Sequence, residues 1–107
     1  MMRIEVKAFA DQAPPQPISA EFDEMGGSIG RSDGNTLILP DPKRYISRTQ
    51  ASVTFRAGSF VLRDYGSATP TLVDGAALGS GNEVVLRGGE EIRIGDYVLA
   101  VSVGHRP

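Results

Sequence analysis

Short segments of alternating apolar and polar residues run through most of the chain. Ile4 and Val6 stand between charged residues near the amino terminus, and Val53 and Phe55 repeat the alternation in the middle of the chain. A period of two places one face of a strand in the core and the other in solvent. No segment has the apolar spacing of a convincing amphipathic helix. The pattern therefore predicts an all-β protein.

Turn-forming residues separate these segments and predict hairpins. Ala57-Gly58-Ser59 interrupts one apolar pair, and Asp74-Gly75 interrupts another. An Asp-Gly pair tolerates the positive φ angles of a type I′ turn. Short strands with frequent turns predict an antiparallel β-sandwich of two twisted sheets, with roughly 11 short strands. Residues 32–45 contain two prolines and an Asp-Gly-Asn sequence, and this stretch is predicted as an irregular exposed loop.

The size and composition of the chain limit its organisation. Its 107 residues, 40% of them hydrophobic, suffice for one domain with its own core, which we expect to span residues 1–107. The absence of cysteine excludes disulfides and thiolate metal sites. The amino terminus has no long apolar run, so we expect no signal peptide, no membrane partner and a cytoplasmic location. The chain ends soon after a strand-like segment, so we expect an amino-terminal fragment of a longer protein.

The charge is nearly balanced overall but is concentrated locally. Eleven basic and 13 acidic residues give a net charge of −2, which argues against a nucleic-acid partner. Between residues 31 and 48, however, four basic residues outnumber two acidic ones. The basic residues are Arg31, Lys43, Arg44 and Arg48, and the acidic residues are Asp33 and Asp41. A small positive region of this kind suits an anionic ligand.

Residues for catalysis are missing from the sequence. The sole histidine, His105, lies at the carboxyl terminus, and no nucleophile and base form a recognisable pair. The glycines between Gly26 and Gly30 match neither G-x-G-x-x-G nor a phosphate loop ending in G-K-[ST]. We therefore expect a protein that is not an enzyme and that uses no cofactor or metal.

Three ordered segments carry a resemblance to a known family. They are Gly30-Arg31, Ser47 to Gln50, and Asp64 to Gly75. In this order and spacing they resemble the signature of the forkhead-associated (FHA) domain, a reader of phosphothreonine peptides, and the resemblance covers about residues 20–103. It implies a SMAD/FHA-like sandwich that binds a phosphothreonine in a partner protein or in its own parent chain.

The resemblance also implies the binding residues. Arg31, Ser47 and Arg48 correspond to the phosphate cradle, and the loop from Ser67 to Thr69 corresponds to the peptide contact. Arginine suits this role because its planar guanidinium stays charged and donates two parallel hydrogen bonds to phosphate. The implied phosphopeptide-binding residues are Arg31, Ser47, Arg48, Ser67, Ala68 and Thr69. The alternatives from the residues alone are an ion pair of Arg31 with Asp33, a turn-capping Ser47 and a solvated Arg48.

Four positions depart from the family pattern. Gln50 stands where the family has a histidine that braces the binding loop, and glutamine can replace it because it both donates and accepts hydrogen bonds. Thr69 stands at the peptide-gripping asparagine, Ala68 at a hydroxyl residue and Pro70 at a glycine. The phosphate side of the pattern is therefore better preserved than the peptide side.

Within the family, the segment from Ile46 to Thr49 and the start of the pattern at the amino terminus are most similar to FHA domains of bacterial type VI secretion systems. This similarity implies a regulatory protein that responds to a threonine kinase and phosphatase pair and promotes assembly of the secretion machine. The alternative function is a degenerate FHA scaffold that binds partners independently of phosphate.

Overall fold

The computed structural model describes residues 1–104, and this part of the chain contains strands and no helix. It therefore also contains no helix long and apolar enough to cross a membrane. In chain order the eleven strands are β1 (Met2–Phe9), β2 (Ser19–Phe22), β3 (Gly27–Gly30), β4 (Leu37–Ile38), β5 (Ala51–Arg56), β6 (Ser59–Asp64), β7 (Thr71–Val73), β8 (Ala76–Ala77), β9 (Glu83–Leu86), β10 (Glu91–Ile94) and β11 (Tyr97–Val103). The all-β prediction is confirmed.

The strands form two sheets. One sheet has the order β2-β1-β11-β10-β7-β8, and the other has the order β4-β3-β5-β6-β9. Strands β1 and β11 pair along their whole lengths, from Met2 opposite Val103 to Phe9 opposite Tyr97. All pairs between the strands are antiparallel except β3 with β4, which is parallel. The predicted antiparallel sandwich is confirmed, with this one parallel pair added.

The predicted hairpins form with the expected turn chemistry. Strands β5 and β6 are joined by Ala57 and Gly58, whose φ angles are 52° and 80°. Strands β7 and β8 are joined by Asp74 and Gly75, whose φ angles are 51° and 86°. Positive φ at both central residues is what a type I′ turn requires, and its twist matches that of the flanking strands.

The core lies between the inward faces of the two sheets. Val53 of β5 and Leu62 of β6 are opposite each other in one sheet, and Ile92 of β10 and Leu99 of β11 are opposite each other in the other. All four side chains are at most 1% exposed. Alternation along each strand thus supplies one apolar face per sheet, and the two faces pack together as in other β-sandwiches.

The predicted irregular loop over residues 32–45 is wrong in its middle part. Leu37 and Leu39 are buried, and β4 lies within this stretch. The N–H of Leu39 donates to the carbonyl of Gly30 at 2.8 Å, which continues the contact with β3. Two apolar residues at strand spacing are enough for a two-residue edge strand before Pro40 ends it. The remainder of the stretch is loop, as predicted.

Candidate functional site

Three loops meet at one end of the second sheet. The β3–β4 loop (31–36) follows β3, the β4–β5 loop (39–50) precedes β5, and the β6–β7 loop (65–70) follows β6. Because β5 is antiparallel to both neighbours, its first residue Ala51 lies opposite Ile29 near the end of β3 and opposite Asp64 at the end of β6. The topology therefore brings the three sequence motifs together.

Arg31 is held against the β4–β5 loop by backbone and side-chain bonds. Its N–H donates to the carbonyl of Ser47 at 3.1 Å, and its Nε donates to the carbonyl of Ile46 at 2.9 Å. The N–H of Ser32 donates to the carbonyl of Arg48 at 3.2 Å. Gly30 permits this close approach, because a Cβ atom there would overlap the carbonyl oxygen of Arg48.

The two arginines of the predicted cradle carry charge that is not neutralised by an ion pair in the described chain. The ion pairs of residues 1–104 are Lys7 with Glu5, Arg56 with Glu83 and Arg93 with Glu91. The alternative that Arg31 pairs with Asp33 is therefore wrong. Arg48 is exposed, and Arg31 is half-buried.

Gln50 joins two of the loops from beneath. Its side chain is fully buried and makes three hydrogen bonds. Oε1 accepts from the N–H of Ser47 at 3.2 Å, while Nε2 donates to the carbonyl of Thr69 at 2.6 Å and to Oγ1 of Thr71 at 3.1 Å. The interpretation of Gln50 as a structural brace is confirmed.

The β6–β7 loop meets the β4–β5 loop through hydroxyl groups. The hydroxyls of Ser47 and Ser67 share a hydrogen bond of 2.6 Å, and the N–H of Thr69 donates to Oγ of Ser67 at 3.3 Å. The Thr69 hydroxyl donates to the carbonyl of Tyr45 at 2.5 Å. The third residue of the predicted peptide contact, Ala68, is exposed.

Two structural residues of the site are not predicted from the sequence. Asn35 is 8% exposed, and its Nδ2 donates to the carbonyls of Ser32 at 2.9 Å and Arg48 at 2.6 Å. A carboxylate oxygen of Asp41 accepts from the N–H of Ile46 at 2.7 Å. Both were visible only as polar loop residues, because a local pattern does not show which distant backbone group a side chain reaches.

The hydrogen bonds thus connect four of the six predicted binding residues. Arg31, Ser47, Ser67 and Thr69 lie in one bonded group, and Arg48 and Ala68 occupy the same loops with exposed side chains. Lys43 and Arg44 are also exposed on the β4–β5 loop. His105 lies outside the described residues. In residues 1–104 no cluster of His, Cys, Asp or Glu is arranged to hold a metal ion.

Among models of known protein families, one matches a continuous part of the chain that includes the three loops. The model of the FHA domain matches residues 27–95, which is more than half of the chain and includes all three loops. The chain belongs to the FHA domain family. The predicted family is confirmed. Among curated proteins, none matches this FHA domain significantly in sequence.

Solved FHA domains have the same fold over nearly the whole chain. One, studied for phosphothreonine-dependent interactions, has a TM-score of 0.80 and 21% identity, with 98% of each chain covered. The FHA domain of an Arabidopsis thaliana hypothetical protein has a TM-score of 0.80 and 23% identity, covering 99% of this chain and 87% of that one. The N-terminal FHA domain of S. cerevisiae Rad53p, solved with a phosphothreonine peptide, has a TM-score of 0.73 and 19% identity, covering 96% and 93%.

Proposed function

We propose that this FHA domain binds phosphothreonine peptides with Arg31, Ser47 and Arg48 around the phosphate and with the loop from Ser67 to Thr69 beside it. FHA domains are recognition modules that bind phosphothreonine peptides in phosphorylation-dependent interactions. The observation that carries the proposal for this chain is the hydrogen bonding of the Arg31 guanidinium. Its guanidinium is fixed through Nε, and its terminal nitrogens have no hydrogen-bond or ion-pair partner within residues 1–104.

This arrangement of Arg31 suits a phosphate. A guanidinium has five N–H groups, and the bond to the carbonyl of Ile46 uses one of them. The terminal edge then keeps a pair of parallel donors for two phosphate oxygens. Since the Nε bond orients the group in advance, less side-chain entropy is lost when the ligand binds.

The surrounding charge adds attraction. Arg48, Lys43 and Arg44 extend from the β4–β5 loop, which Arg31 contacts directly. A phosphothreonine carries about −1.5 to −2 charges at pH 7. Exposed cations near the site therefore raise the rate of association more than they raise affinity, and this contribution falls with added salt.

The test measures binding of a phosphothreonine peptide set, with phosphoserine and unmodified controls, to the wild type and to Arg31→Ala. Loss of a charged phosphate contact lowers affinity by about 1.5–3 kcal/mol, roughly a 10- to 150-fold change. Arg87→Ala is the matched control, since Arg87 is exposed beside Leu86, which pairs with Phe60 at the opposite end of the sheet. A wild type with no preference for the phosphorylated peptides contradicts the proposal.

We further propose that the phosphothreonine belongs to a partner or to the parent chain of this domain. A threonine kinase and phosphatase in the bacterial cytoplasm would control this phosphorylation, and binding would promote type VI secretion assembly. The support is the similarity of Ile46 to Thr49 to FHA domains of those systems. Co-purification of threonine-phosphorylated secretion components with the wild type, and not with Arg31→Ala, is the expected result. Binding of phosphorylated proteins from unrelated processes alone would count against this role.

A scaffold function independent of phosphate is the second candidate. It is favoured by Thr69, which stands at the peptide-gripping position and directs its hydroxyl to the carbonyl of Tyr45. A partner that binds unphosphorylated, and equally well to Arg31→Ala, would identify this function in place of the first.

A further inference from the structure

An apolar groove lies between the β1–β2 loop (10–18) and the beginning of the β4–β5 loop. Its volume is about 250 Å³, and its lining includes four prolines. We call it the proline groove, and it is lined by Phe9, Pro14, Pro15, Ile18, Pro40 and Pro42, together with the nearly buried Tyr97. Three of the prolines are exposed, and so is Phe9, at 37%. Such a concentration of exposed apolar surface indicates a binding site.

The lining offers an occupant almost no hydrogen bonds. Its side chains are apolar apart from the Tyr97 hydroxyl, which donates to the carbonyl of Pro40 within the domain. Proline has no backbone N–H to donate. The groove is also smaller than most small-molecule sites, which measure about 300–1,000 Å³. It therefore suits an apolar side chain of a protein or peptide.

The walls of the groove are held in place by contacts within the domain. The ring of Phe9 packs against Tyr97 with centroids 4.6 Å apart. Phe9 and Gln12 exchange two backbone hydrogen bonds of 2.8 and 3.1 Å, and the N–H of Ala10 donates to the carbonyl of Asp96 at 3.0 Å. The prolines have fixed φ angles. Because little conformational entropy is lost when a rigid surface binds a ligand, even a small groove of this kind adds affinity.

The apolar surface continues toward the phosphate-binding residues. A second hollow, of about 270 Å³, shares Phe9 and Pro42 with the proline groove and extends along the β4–β5 loop to Tyr45. Tyr45 is 62% exposed, and it precedes Ile46, whose carbonyl orients Arg31. A peptide bound at Arg31 thus has a continuous surface along which to reach the proline groove.

We propose that the proline groove holds an apolar side chain of the same segment that carries the phosphothreonine. This inference rests on the proposed phosphothreonine binding and adds a second contact to it. The Thr69 hydroxyl is bonded to the carbonyl of Tyr45, so it is not available to hold the peptide. Once the phosphate is bound, the apolar residue is present at a high effective concentration, and its contact adds affinity although it is weak alone. The domain then selects phosphothreonine segments that also carry a suitably spaced apolar residue.

Selection from a peptide library with a fixed phosphothreonine and randomised flanking positions tests the proposal. The wild type is expected to enrich aliphatic or aromatic residues at one or more flanking positions. Pro15→Gln and Phe9→Gln are expected to lose this enrichment and to keep the preference for phosphothreonine over threonine. Pro17→Gln is the matched control, since Pro17 is exposed on the same loop and does not line the groove. Thermal unfolding of each variant shows that it is folded.

Titration calorimetry with one selected phosphopeptide measures the strength of the contact. Replacing its enriched apolar residue with serine is expected to weaken binding to the wild type by about 4- to 12-fold, because an open groove removes roughly half of an apolar side chain from water. The same replacement is expected to change binding to Pro15→Gln by less than about twofold, since the two changes remove the same contact. The amide NMR signals of Ala10 and Gln12 should shift with the apolar peptide and stay in place with the serine peptide.

The outcomes separate this inference from the proposed function. A wild type that prefers phosphorylated peptides but enriches no apolar residue overturns the inference and leaves the proposed function standing, and so does an enrichment that Pro15→Gln and Phe9→Gln share with the wild type. A wild type with no phosphate preference overturns both. Sedimentation of the free domain tests a different occupant. A dimer that Pro15→Gln and Phe9→Gln dissociate, and Pro17→Gln does not, would assign the groove to a second copy of the chain and overturn the inference.

Discussion

Replacing Gln50 with leucine removes the hydrogen bonds that the Gln50 side chain makes at the junction of two loops of the site, while it keeps most of the side-chain volume. The change eliminates three hydrogen bonds, with the N–H of Ser47, the carbonyl of Thr69 and Oγ1 of Thr71. Because the Gln50 side chain is fully buried, an apolar leucine can take its place. The loss of stability then comes mainly from the former hydrogen-bond partners of Gln50, which are left without a partner.

The expected loss follows from the surroundings of each group. Thr71 is 0% exposed, so water does not reach its hydroxyl, and an unsatisfied buried group costs about 1–3 kcal/mol. Ser47 and Thr69 are half-buried, and each lost bond there costs about 0.5–1.5 kcal/mol because water replaces part of it. Adding these ranges, we expect Gln50→Leu to lose about 2–6 kcal/mol of unfolding free energy, a large share of the stability of a small domain.

Urea unfolding followed by circular dichroism measures this loss. Gln16→Leu is the matched control, since Gln16 is exposed between β1 and β2, and it is expected to stay close to the wild type. Gln50→His keeps one donor and one acceptor, so its stability is expected to lie between those of Gln50→Leu and the wild type. A loss below about 1 kcal/mol in Gln50→Leu would refute the argument that Gln50 holds the loops together.

Three further results are expected. Gly30→Ala should destabilise the domain by about 1–3 kcal/mol or more, because its Cβ would overlap the backbone of Arg48. Gly75→Ala, at φ 86° and in open space, should lose about 1–2 kcal/mol. Urea unfolding measures both losses, and a larger loss for Gly75→Ala than for Gly30→Ala would contradict this expectation. Burial, with a smaller contribution from Asp41, raises the pKa of the Tyr97 phenol. The stability that the neutral phenol contributes is therefore present below about pH 10 and is lost as pH rises further. Between about pH 8 and 11 the unfolding temperature should fall more steeply for the wild type than for Tyr97→Phe. Affinity for a phosphothreonine peptide should fall as pH drops below about 6, where the phosphate loses a charge, and an unmodified peptide measured in parallel should show no such change.

The strands and tight turns were predictable because their causes are local. Val53 and Phe55 alternate with polar residues, and the φ angles of Asp74 and Gly75 follow from the residue types that tolerate them. The pairing of β1 with β11 has no local cause, since it joins residues at opposite ends of the described chain. It depends on how all the apolar faces close around one core.

The short strand β4 was not predicted from the local residue pattern. Turn residues and prolines surround Leu37 and Leu39, and they outweighed two apolar positions in the sequence pattern. In the structure both leucines are buried, and β4 is parallel to β3. Its formation depends on the edge of β3 being available, which a residue pattern does not show.

The hydrogen bonds of Thr69 change how its departure from the family pattern is interpreted. From the sequence, Thr69 in place of asparagine, together with Ala68 and Pro70 on the same loop, indicates a diminished peptide contact. The structure shows that the Thr69 hydroxyl ties this loop to the carbonyl of Tyr45, one residue before the carbonyl of Ile46 that orients Arg31. The Thr69 hydroxyl has one proton, and since that proton holds the β6–β7 loop to the β4–β5 loop, it is not free to donate to a peptide. A site that had lost its ligand would have no need of an arginine held through Nε with its terminal nitrogens unpaired in the described chain, and this argues for a phosphate reader with reduced peptide contacts over a scaffold.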